Sequence, residues 1–269
     1  MRPSRIAACV SSLLLAAACT FTGAAMAQAA PRTAATGYVA LGDSYSAGVG
    51  AGSYLGSSLD CLRSSRAYPA LWAAAHHLSS FSFTACNGAR TTDVMAGQLG
   101  PLSTRTGLVS ISVGGSDAGF SHVMTTCVLK DAGACLSAIA EARSYMDRTL
   151  PGDLNRLYGA ISSKAPTAHV VVLSYPHLYK LNGRCTGGLP DTTRSALNDA
   201  VDHLDGVIAK RAADHGFTFA DVRAAFSGHE ICSQGPWMRS VDLLAPMESY
   251  HPTDLGQSRG YLPVFTGVV

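Results

Sequence analysis

The chain has 269 residues, of which 47% are hydrophobic and 14% charged, and its formal net charge is +2. A chain of this length can bury a sizeable core as one large domain. Its lysines and arginines form no basic stripe or polybasic tract, which argues against nucleic acid as a partner.

The first 30 residues have the layout of a secretory signal peptide. Arg2 and Arg5 precede an apolar run, and the small-residue sequences AMA and AQA follow it. Cleavage is therefore expected within residues 27–33. Without Arg2 and Arg5, 18 basic residues would face 18 acidic ones, so the mature chain is close to neutral. No second long apolar run follows, so we expect residues 34–269 to form a single secreted domain without a transmembrane segment.

Six of the eight cysteines lie beyond the predicted signal peptide. An even number of cysteines in an exported chain indicates disulfides. We favour pairing in sequence order, because partners that are close in sequence close local loops. No CxxC motif occurs and no histidine lies at ligand spacing from these cysteines, so no metal is expected. The expected bridges are Cys61–Cys86, Cys127–Cys135 and Cys185–Cys232.

Short apolar runs alternate with helix-length segments, which is typical of an α/β domain. Five runs are predicted as strands: YVALGDS from residue 38, FSFTAC from 81, LVSISVGG from 108, AHVVVLSYP from 168 and FTFADV from 217.

The helices are predicted between these strands, and residues 223–250 are expected to be irregular. A final helix is expected from Asp254, its N-cap, with Gln257 completing a capping box. The earlier helices are predicted over 66–78, 117–129, 135–149, 152–164 and 191–215.

Five strands separated by helices predict a parallel sheet covered on both faces. Functional sites in such sheets gather at the carboxyl ends of the strands. This rule selects three small, polar segments: Gly42–Ser44, Cys86–Gly88 and Gly114–Asp117.

Ser44 is a candidate nucleophile because it stands where the first predicted strand ends. A serine hydroxyl needs a base to remove its proton during attack. Taken alone, the GDS tripeptide is equally compatible with a turn serine, and no G-x-S-x-G motif occurs. The candidate base is His251, in the loop before the final helix and fixed by Pro252. His177, just beyond the fourth strand, is the alternative.

Two further groups would complete an acyl-transfer site. Glu248 lies three residues before His251 and could orient its imidazole. The tetrahedral intermediate also needs hydrogen-bond donors for its oxyanion. Gly88 offers an unobstructed backbone N–H, and Gly114, Gly115 and the Ser116 hydroxyl follow the third strand.

The ordered set of segments GDSYSAG, CNGART, VGGSD and ESYHP resembles the four sequence blocks of the SGNH hydrolases, the GDSL lipase/esterase family. The resemblance covers most of the mature chain. The sequence also looks like the secreted actinomycete lipases, esterases and phospholipases A1 of that family, which have six cysteines in three sequential disulfides. It implies a three-layer α/β/α sandwich with a five-stranded parallel sheet, a flavodoxin-like arrangement.

The resemblance also implies roles for individual residues. It makes Ser44 the nucleophile, His251 the base, and the backbones of Ser44 and Gly88 the oxyanion donors. Two positions depart from the family pattern. Ser116 replaces an asparagine donor with a shorter hydroxyl, and Glu248 stands where an aspartate is usual. Either the Glu248 carboxylate or the backbone carbonyl of Glu248 or Ser249 is expected to orient His251.

These observations predict a secreted serine ester hydrolase that needs no cofactor and works through an acyl-enzyme. We favour lipid esters as substrates, in the manner of a lipase or phospholipase A1. The alternatives are a short-chain or aryl carboxylesterase, a carbohydrate deacetylase and, more remotely, a non-catalytic binding module. We expect a monomer whose partner is a lipid or other ester, and contact with a lipid interface is left open.

Overall fold

The computed structural model describes residues 37–56, 60–185 and 188–269. The predicted signal peptide and its cleavage region lie outside the described residues. Five parallel strands form one sheet, in the order β2-β1-β3-β4-β5. The strands are β1 (Tyr38–Gly42), β2 (Phe81–Phe83), β3 (Leu108–Ser112), β4 (His169–Leu173) and β5 (Thr218–Ala220).

Helices connect the strands and follow the last one. The α-helices are α1 (Ser44–Ala47), α2 (Tyr68–Ala75), α3 (Thr91–Gly97), α4 (Phe120–Leu129), α5 (Ala132–Arg148), α6 (Leu150–Lys164), α7 (Asp191–Asp214), α8 (Arg223–Phe226) and α9 (Leu262–Thr266). A 3₁₀ turn spans Pro246–Glu248, and a π-helical stretch, Gly256–Tyr261, leads directly into α9. None of the helices in the described part of the chain is long and apolar enough to cross a membrane.

The strand order gives the sheet a switch point between β1 and β3. The chain leaves β1 towards β2 on one side, and β3, β4 and β5 follow on the other. Because parallel crossovers are right-handed, this reversal places the connecting helices on opposite faces of the sheet. The predicted α/β fold with a five-stranded parallel sheet is confirmed. In this flavodoxin-like order, ligands bind at the switch point, which is where the segments after β1 and β3 meet.

Two inner strands, β1 and β3, lie in the core of the domain. All residues of β1 and β3 are buried, so both faces of these two strands are covered; β1 is apolar up to its final glycine, and β3 contains two serines. Two small polar side chains in β3 are satisfied internally: Ser110 Oγ lies 2.7 Å from the Tyr38 hydroxyl, and Ser112 Oγ donates to Asp43 Oδ1 at 2.7 Å. The buried sheet thus holds its polar groups only where a hydrogen-bond partner exists.

The three disulfides join the cysteines in sequence order, as predicted. Cys61–Cys86 ties the loop after β2 to the loop before α2. Cys127–Cys135 links α4 to α5, and Cys185–Cys232 closes the longest loop, between cysteines 47 residues apart. Each bridge restricts the unfolded chain and so stabilises the folded domain.

Several helix boundaries differ from the sequence prediction, and the starts of α4 and α5 differ for clear local reasons. Helix α4 begins at Phe120 rather than at residue 117, because the Asp117 carboxylate accepts hydrogen bonds from Thr91 instead of starting the helix. Helix α5 begins at Ala132 rather than at residue 135, because the Asp131 side chain accepts the Ala134 N–H at 2.9 Å.

The predicted cap of the final helix is wrong. Thr253 Oγ1, and not Asp254, accepts a backbone N–H of the first turn, from Gly256 at 3.3 Å. The Gln257 side chain forms no capping box. It is fully buried, accepts the Tyr68 N–H at 2.9 Å and donates to the Tyr45 carbonyl at 3.0 Å. Gln257 therefore fastens the end of the chain to α1 and α2.

Replacing Gln257 with leucine should destabilise the domain measurably. The substitution leaves the Tyr68 N–H and the Tyr45 carbonyl buried without these partners, at about 1–3 kcal/mol each. We expect the free energy of unfolding to fall by about 3 kcal/mol in urea denaturation. Gln234→Leu, at an exposed position, is the matched control and should change it little. Equal stability of the two variants would contradict the bracing role of Gln257.

Candidate active site

Ser44 stands at the switch point, at the first position of α1. Gly42 ends β1 with φ +121°, a conformation that disfavours any other residue, and a Cβ there would collide with the Ser112 carbonyl. Asp43 then caps α1 by accepting the Tyr45 N–H at 3.0 Å. This tight turn places Ser44 above the carboxyl edge of the sheet with 7% of its surface exposed.

The structure brings His251 to Ser44. Its Nε2 lies 2.7 Å from Ser44 Oγ, and its Nδ1 lies 2.9 Å from the carbonyl oxygen of Ser249. A carbonyl can only accept a hydrogen bond, so Nδ1 carries the proton. Nε2 of a neutral ring is then an acceptor facing the serine hydroxyl, which is the orientation that a general base requires.

Burial lowers the pKa of the His251 imidazole to about 4. Desolvation of the charged ring is the main cause, and hydrogen bonding to the Ser249 and Glu248 carbonyls opposes it. The ring is therefore neutral at the pH of most natural environments and able to accept a proton. No carboxylate contributes to this balance.

The Glu248 carboxylate does not reach the imidazole. It accepts a hydrogen bond from the Tyr54 hydroxyl at 2.6 Å and pairs with Arg239 Nε at 3.2 Å. Arg239 Nε also donates to the Gly50 carbonyl at 2.6 Å, and the Tyr54 hydroxyl accepts the Gly50 N–H at 3.0 Å. Of the groups predicted to orient His251, the structure places the Ser249 carbonyl against the ring and uses Glu248 to brace the surrounding loops.

Contacts from α1 and its following loop fix the histidine loop. The Tyr45 hydroxyl donates to the Tyr250 carbonyl at 2.7 Å, so the residue after Ser44 holds the residue before His251. Gly50 has φ +87°, and a Cβ there would lie 3.0 Å from the His251 Cβ. Glycine at position 50 therefore allows the two loops to approach each other closely.

The predicted oxyanion donors lie on loops at the same edge of the sheet. Gly88 follows β2 with φ +72°, two residues after Cys86, whose N–H donates to the Gly42 carbonyl at 3.0 Å. Ser116 lines the same cavity as Ser44. Within the described residues, neither the Ser44 N–H nor the Gly88 N–H has a backbone or side-chain acceptor. Both amides are thus available to a developing negative charge.

Sequence reasoning missed the buried pair formed by Asp43 and Tyr175. The Tyr175 hydroxyl donates to Asp43 Oδ2 and accepts the Gly115 N–H at 3.2 Å, so it joins the loop after β1 to the loop after β3. Burial raises the pKa of Asp43 to about 6, against the effect of its three hydrogen-bond donors. The sequence contained a signal for it, because Tyr175 is the second residue after the end of β4, and functional residues gather at strand ends in such sheets.

Asp117 makes a second connection between loops. Its carboxylate accepts the Thr91 N–H at 3.0 Å and the Thr91 hydroxyl at 2.6 Å. Thr91 begins α3, immediately after the loop that carries Gly88. Desolvation raises the pKa of Asp117, and these hydrogen bonds oppose the shift. Asp117 therefore holds the Gly88 loop beside the Ser116 loop.

His177, the alternative base, lies elsewhere. Its Nε2 is 2.9 Å from Asp202 Oδ1, and Asp202 also pairs with Arg223. This cluster belongs to the surface beyond β4 and β5 and has no contact with Ser44. Among the residues that the structure describes, no group of three His, Cys, Asp or Glu side chains could hold a metal ion.

An apolar cavity opens at Ser44 and continues between the helices. The part next to Ser44 is lined by Asp43, Tyr45, Ser116 and Tyr175 on its polar side. The deeper part lies among α4, α5 and α7 and is lined only by apolar side chains and Gly115. The two parts share the lining residues Gly115, Phe120, Leu178, Val201 and Leu204.

A doubly wound sheet with a serine–histidine pair at its switch point is the arrangement of a serine-type hydrolase. The model of the GDSL-like lipase/acylhydrolase family matches residues 40–259. The chain belongs to this family. The predictions of SGNH membership and of a carboxylic ester hydrolase are therefore confirmed.

Several proteins, two of them with solved structures, are similar to the chain over most of its length. Lipase 1 of Streptomyces coelicolor is 63% identical over 267 residues, 99% of each chain. The structure of phospholipase A1 from Streptomyces albidoflavus NA297 has a TM-score of 0.86 at 55% identity, covering 88% of this chain and all of that one. An extracellular lipase from Streptomyces rimosus has a TM-score of 0.85 at 58% identity, covering 87% of this chain and all of that one.

Replacing Glu248 with glutamine should leave most of the activity. The amide oxygen of the glutamine can still accept the Tyr54 hydroxyl bond, and the Ser249 carbonyl still holds Nδ1 of His251. We expect kcat/KM on a soluble ester to fall by less than about tenfold, whereas loss of the acid of a true triad costs about 10⁴-fold in kcat. Glu141→Gln, at an exposed position, is the control. A thousandfold loss would assign the acid role to the Glu248 carboxylate.

Proposed function

We propose that Ser44 and His251 act as a catalytic dyad in ester hydrolysis. His251 Nε2 takes the proton as Ser44 Oγ attacks the ester carbonyl, and then gives it to the departing alcohol. The acyl-enzyme is hydrolysed by a water from which His251 removes the proton. The 2.7 Å contact between Oγ and Nε2 is the observation that carries this proposal.

The oxyanion of each tetrahedral intermediate would be held by the amides of Ser44 and Gly88. Neither amide is hydrogen-bonded to another group of the described residues, and the Ser116 hydroxyl lines the same cavity and can contribute a third donor. The Ser249 carbonyl plays the part that an acid plays in a triad. It fixes the tautomer and orientation of His251, and it stabilises the imidazolium that forms during attack.

Lipid esters are the proposed substrates. The cavity that begins at Ser44 becomes wholly apolar between α4, α5 and α7, which suits a fatty acyl chain and offers no hydrogen bonds to a sugar. The similarity to a phospholipase A1 and to lipases supports the same substrate class. A short-chain or aryl carboxylesterase is the second candidate, because the polar part of the cavity beside Ser44 could take a small acyl group alone.

We further propose that the protein is secreted after removal of residues 1–30 or so, and that it works as a monomer. Three disulfides suit an oxidising, extracellular environment. The similarity to an extracellular lipase supports the same location.

Product analysis tests the reaction and its substrate together. The purified enzyme should release palmitate first from 1-palmitoyl-2-oleoyl-phosphatidylcholine, and fatty acid from triolein. Ser44→Ala should lower the rate by about 10⁴-fold or more by removing the nucleophile, while Ser163→Ala, an exposed serine on α6, should not change it.

The outcomes separate the candidates. Hydrolysis of a soluble short ester without release from either lipid would favour the carboxylesterase. Full turnover by Ser44→Ala would overturn the dyad and move the nucleophile to another residue. No hydrolysis of any ester, together with failure of a fluorophosphonate probe to label Ser44, would leave the fold as a binding module.

A further inference from the structure

A loop of residues 240–249 projects from the strand-like pair that carries His251. The pair is formed by two backbone hydrogen bonds, from Tyr250 N–H to the Arg239 carbonyl at 3.0 Å and from Arg239 N–H to the His251 carbonyl at 2.8 Å. The chain therefore leaves at Arg239 and returns to the same place at Tyr250. Whatever the 240–249 loop contacts is held beside the histidine.

The loop exposes large hydrophobic side chains. Leu244 is 98% exposed and Leu243 is 85% exposed, the two highest values among the large hydrophobic residues that the structure describes. Met247, three residues further on, is 56% exposed. Single exposed leucines are ordinary on protein surfaces, but two adjacent leucines at a loop tip with a methionine beside them form a concentrated apolar surface.

Hydrogen bonds within the loop keep these side chains outward. Asp242 Oδ1 accepts the Leu244 N–H at 2.9 Å and the Ala245 N–H at 3.1 Å, and the Asp242 N–H donates to Ser249 Oγ at 2.8 Å. The 3₁₀ turn Pro246–Glu248 follows directly. The leucines are thus presented by a fastened turn, and Ser249, which closes it, also supplies the carbonyl that holds His251.

The charges of the loop point to an apolar contact rather than an ionic one. Its charged residues are Asp242, whose carboxylate caps the turn, and Glu248, which pairs with Arg239. No lysine or arginine lies within 240–249. An anionic surface would gain nothing from this loop, whereas an apolar layer would accept Leu243 and Leu244 directly.

The exposed set is also too small for a protein interface. A stable protein–protein contact uses about 20–30 residues on each side, whereas a lipid surface needs no complementary shape and accepts a few inserted side chains. The short chain separation between the exposed loop and His251 also fits a lipid surface as the partner. Met247 lies four residues before His251, and four residues span at most about 14 Å.

We propose that the 240–249 loop docks the enzyme on lipid aggregates by inserting Leu243 and Leu244 into the acyl layer. This inference rests on the proposed lipid esterase function and deepens it. Docking there holds His251 and Ser44 against the surface from which an acyl chain enters the apolar cavity. The loop binds the aggregate and takes no part in the chemical step.

Vesicle partitioning tests the docking independently of turnover. Ser44→Ala protein, which leaves the lipid intact, is sedimented with phosphatidylcholine vesicles, with and without about 30% phosphatidylglycerol. Adding Leu243→Ser and Leu244→Ser should lower the partition coefficient by about tenfold or more. The reason is that two leucine side chains would no longer move from water into the acyl layer. The loss should be equal on both vesicle compositions. Leu129→Ser is the matched control and should bind as before. Leu129 is 71% exposed and lies at the opposite end of α4 from the cavity residue Phe120.

Activity on a soluble ester separates this inference from the function itself. With Ser44 intact, Leu243→Ser/Leu244→Ser should hydrolyse p-nitrophenyl acetate like the wild type while losing activity on vesicles. If the double variant disturbs that soluble activity, Leu244→Ser alone serves, since its side chain is 98% exposed. Unchanged partitioning would overturn the docking surface and leave the esterase standing. Binding lost only on anionic vesicles, or a wild-type dimer that the double variant dissociates in light scattering, would also overturn it.

Discussion

The proposed chemistry depends on one hydrogen bond between residues 207 positions apart, from the Ser44 hydroxyl to His251 Nε2. Serine is reactive only if the imidazole beside it is neutral, correctly protonated and fixed. Burial supplies the first condition and the Ser249 carbonyl supplies the second. The third comes from the contacts around the His251 loop, in which Tyr45 and Gly50, from the segment after β1, lie against Tyr250 and His251.

The carboxylates around the site hold loops instead of acting on the histidine. Asp43 and Asp117 are buried or largely so, and each is satisfied by donors from a different segment: Tyr175 for Asp43 and Thr91 for Asp117. A buried carboxylate is costly unless it is hydrogen-bonded, so each one strongly favours a single arrangement of the loops it joins. Glu248 does the same at the surface with Arg239. In the proposed dyad these carboxylates brace loops, and the Ser249 carbonyl rather than an acid lies against the imidazole.

Hydrophobic periodicity and chain order were enough to predict the sheet and its functional edge. The buried runs ending at Gly42 and Ser112 predicted parallel strands, and the strand-end rule placed Ser44 and the Gly114–Asp117 segment at one edge. The partner of Glu248 could not be predicted in this way. It depends on Tyr54, almost 200 residues away, and on the direction in which two side chains point. Gln257 looked like a local cap for the same reason, although its partners are Tyr45 and Tyr68.

The apolar cavity could not be predicted from the sequence either. Its lining comes from α4, α5 and α7, whose apolar positions look like ordinary core residues until the helices are packed and a space is left between them. The exposure of the loop leucines could not be predicted either. Leu243 and Leu244 lie in a region predicted to be irregular, and only the structure shows that their turn is fastened with both side chains outward.

The protonation state of His251 is the most direct test of the dyad. Nitrogen-15 NMR of the labelled imidazole reports which ring nitrogen carries the proton and at what pH the ring becomes charged. We expect a neutral ring at neutral pH with the proton on Nδ1, and a titration midpoint at about pH 4. A proton on Nε2 at neutral pH, or an imidazolium that persists to the ordinary pKa of histidine or above, would contradict the dyad.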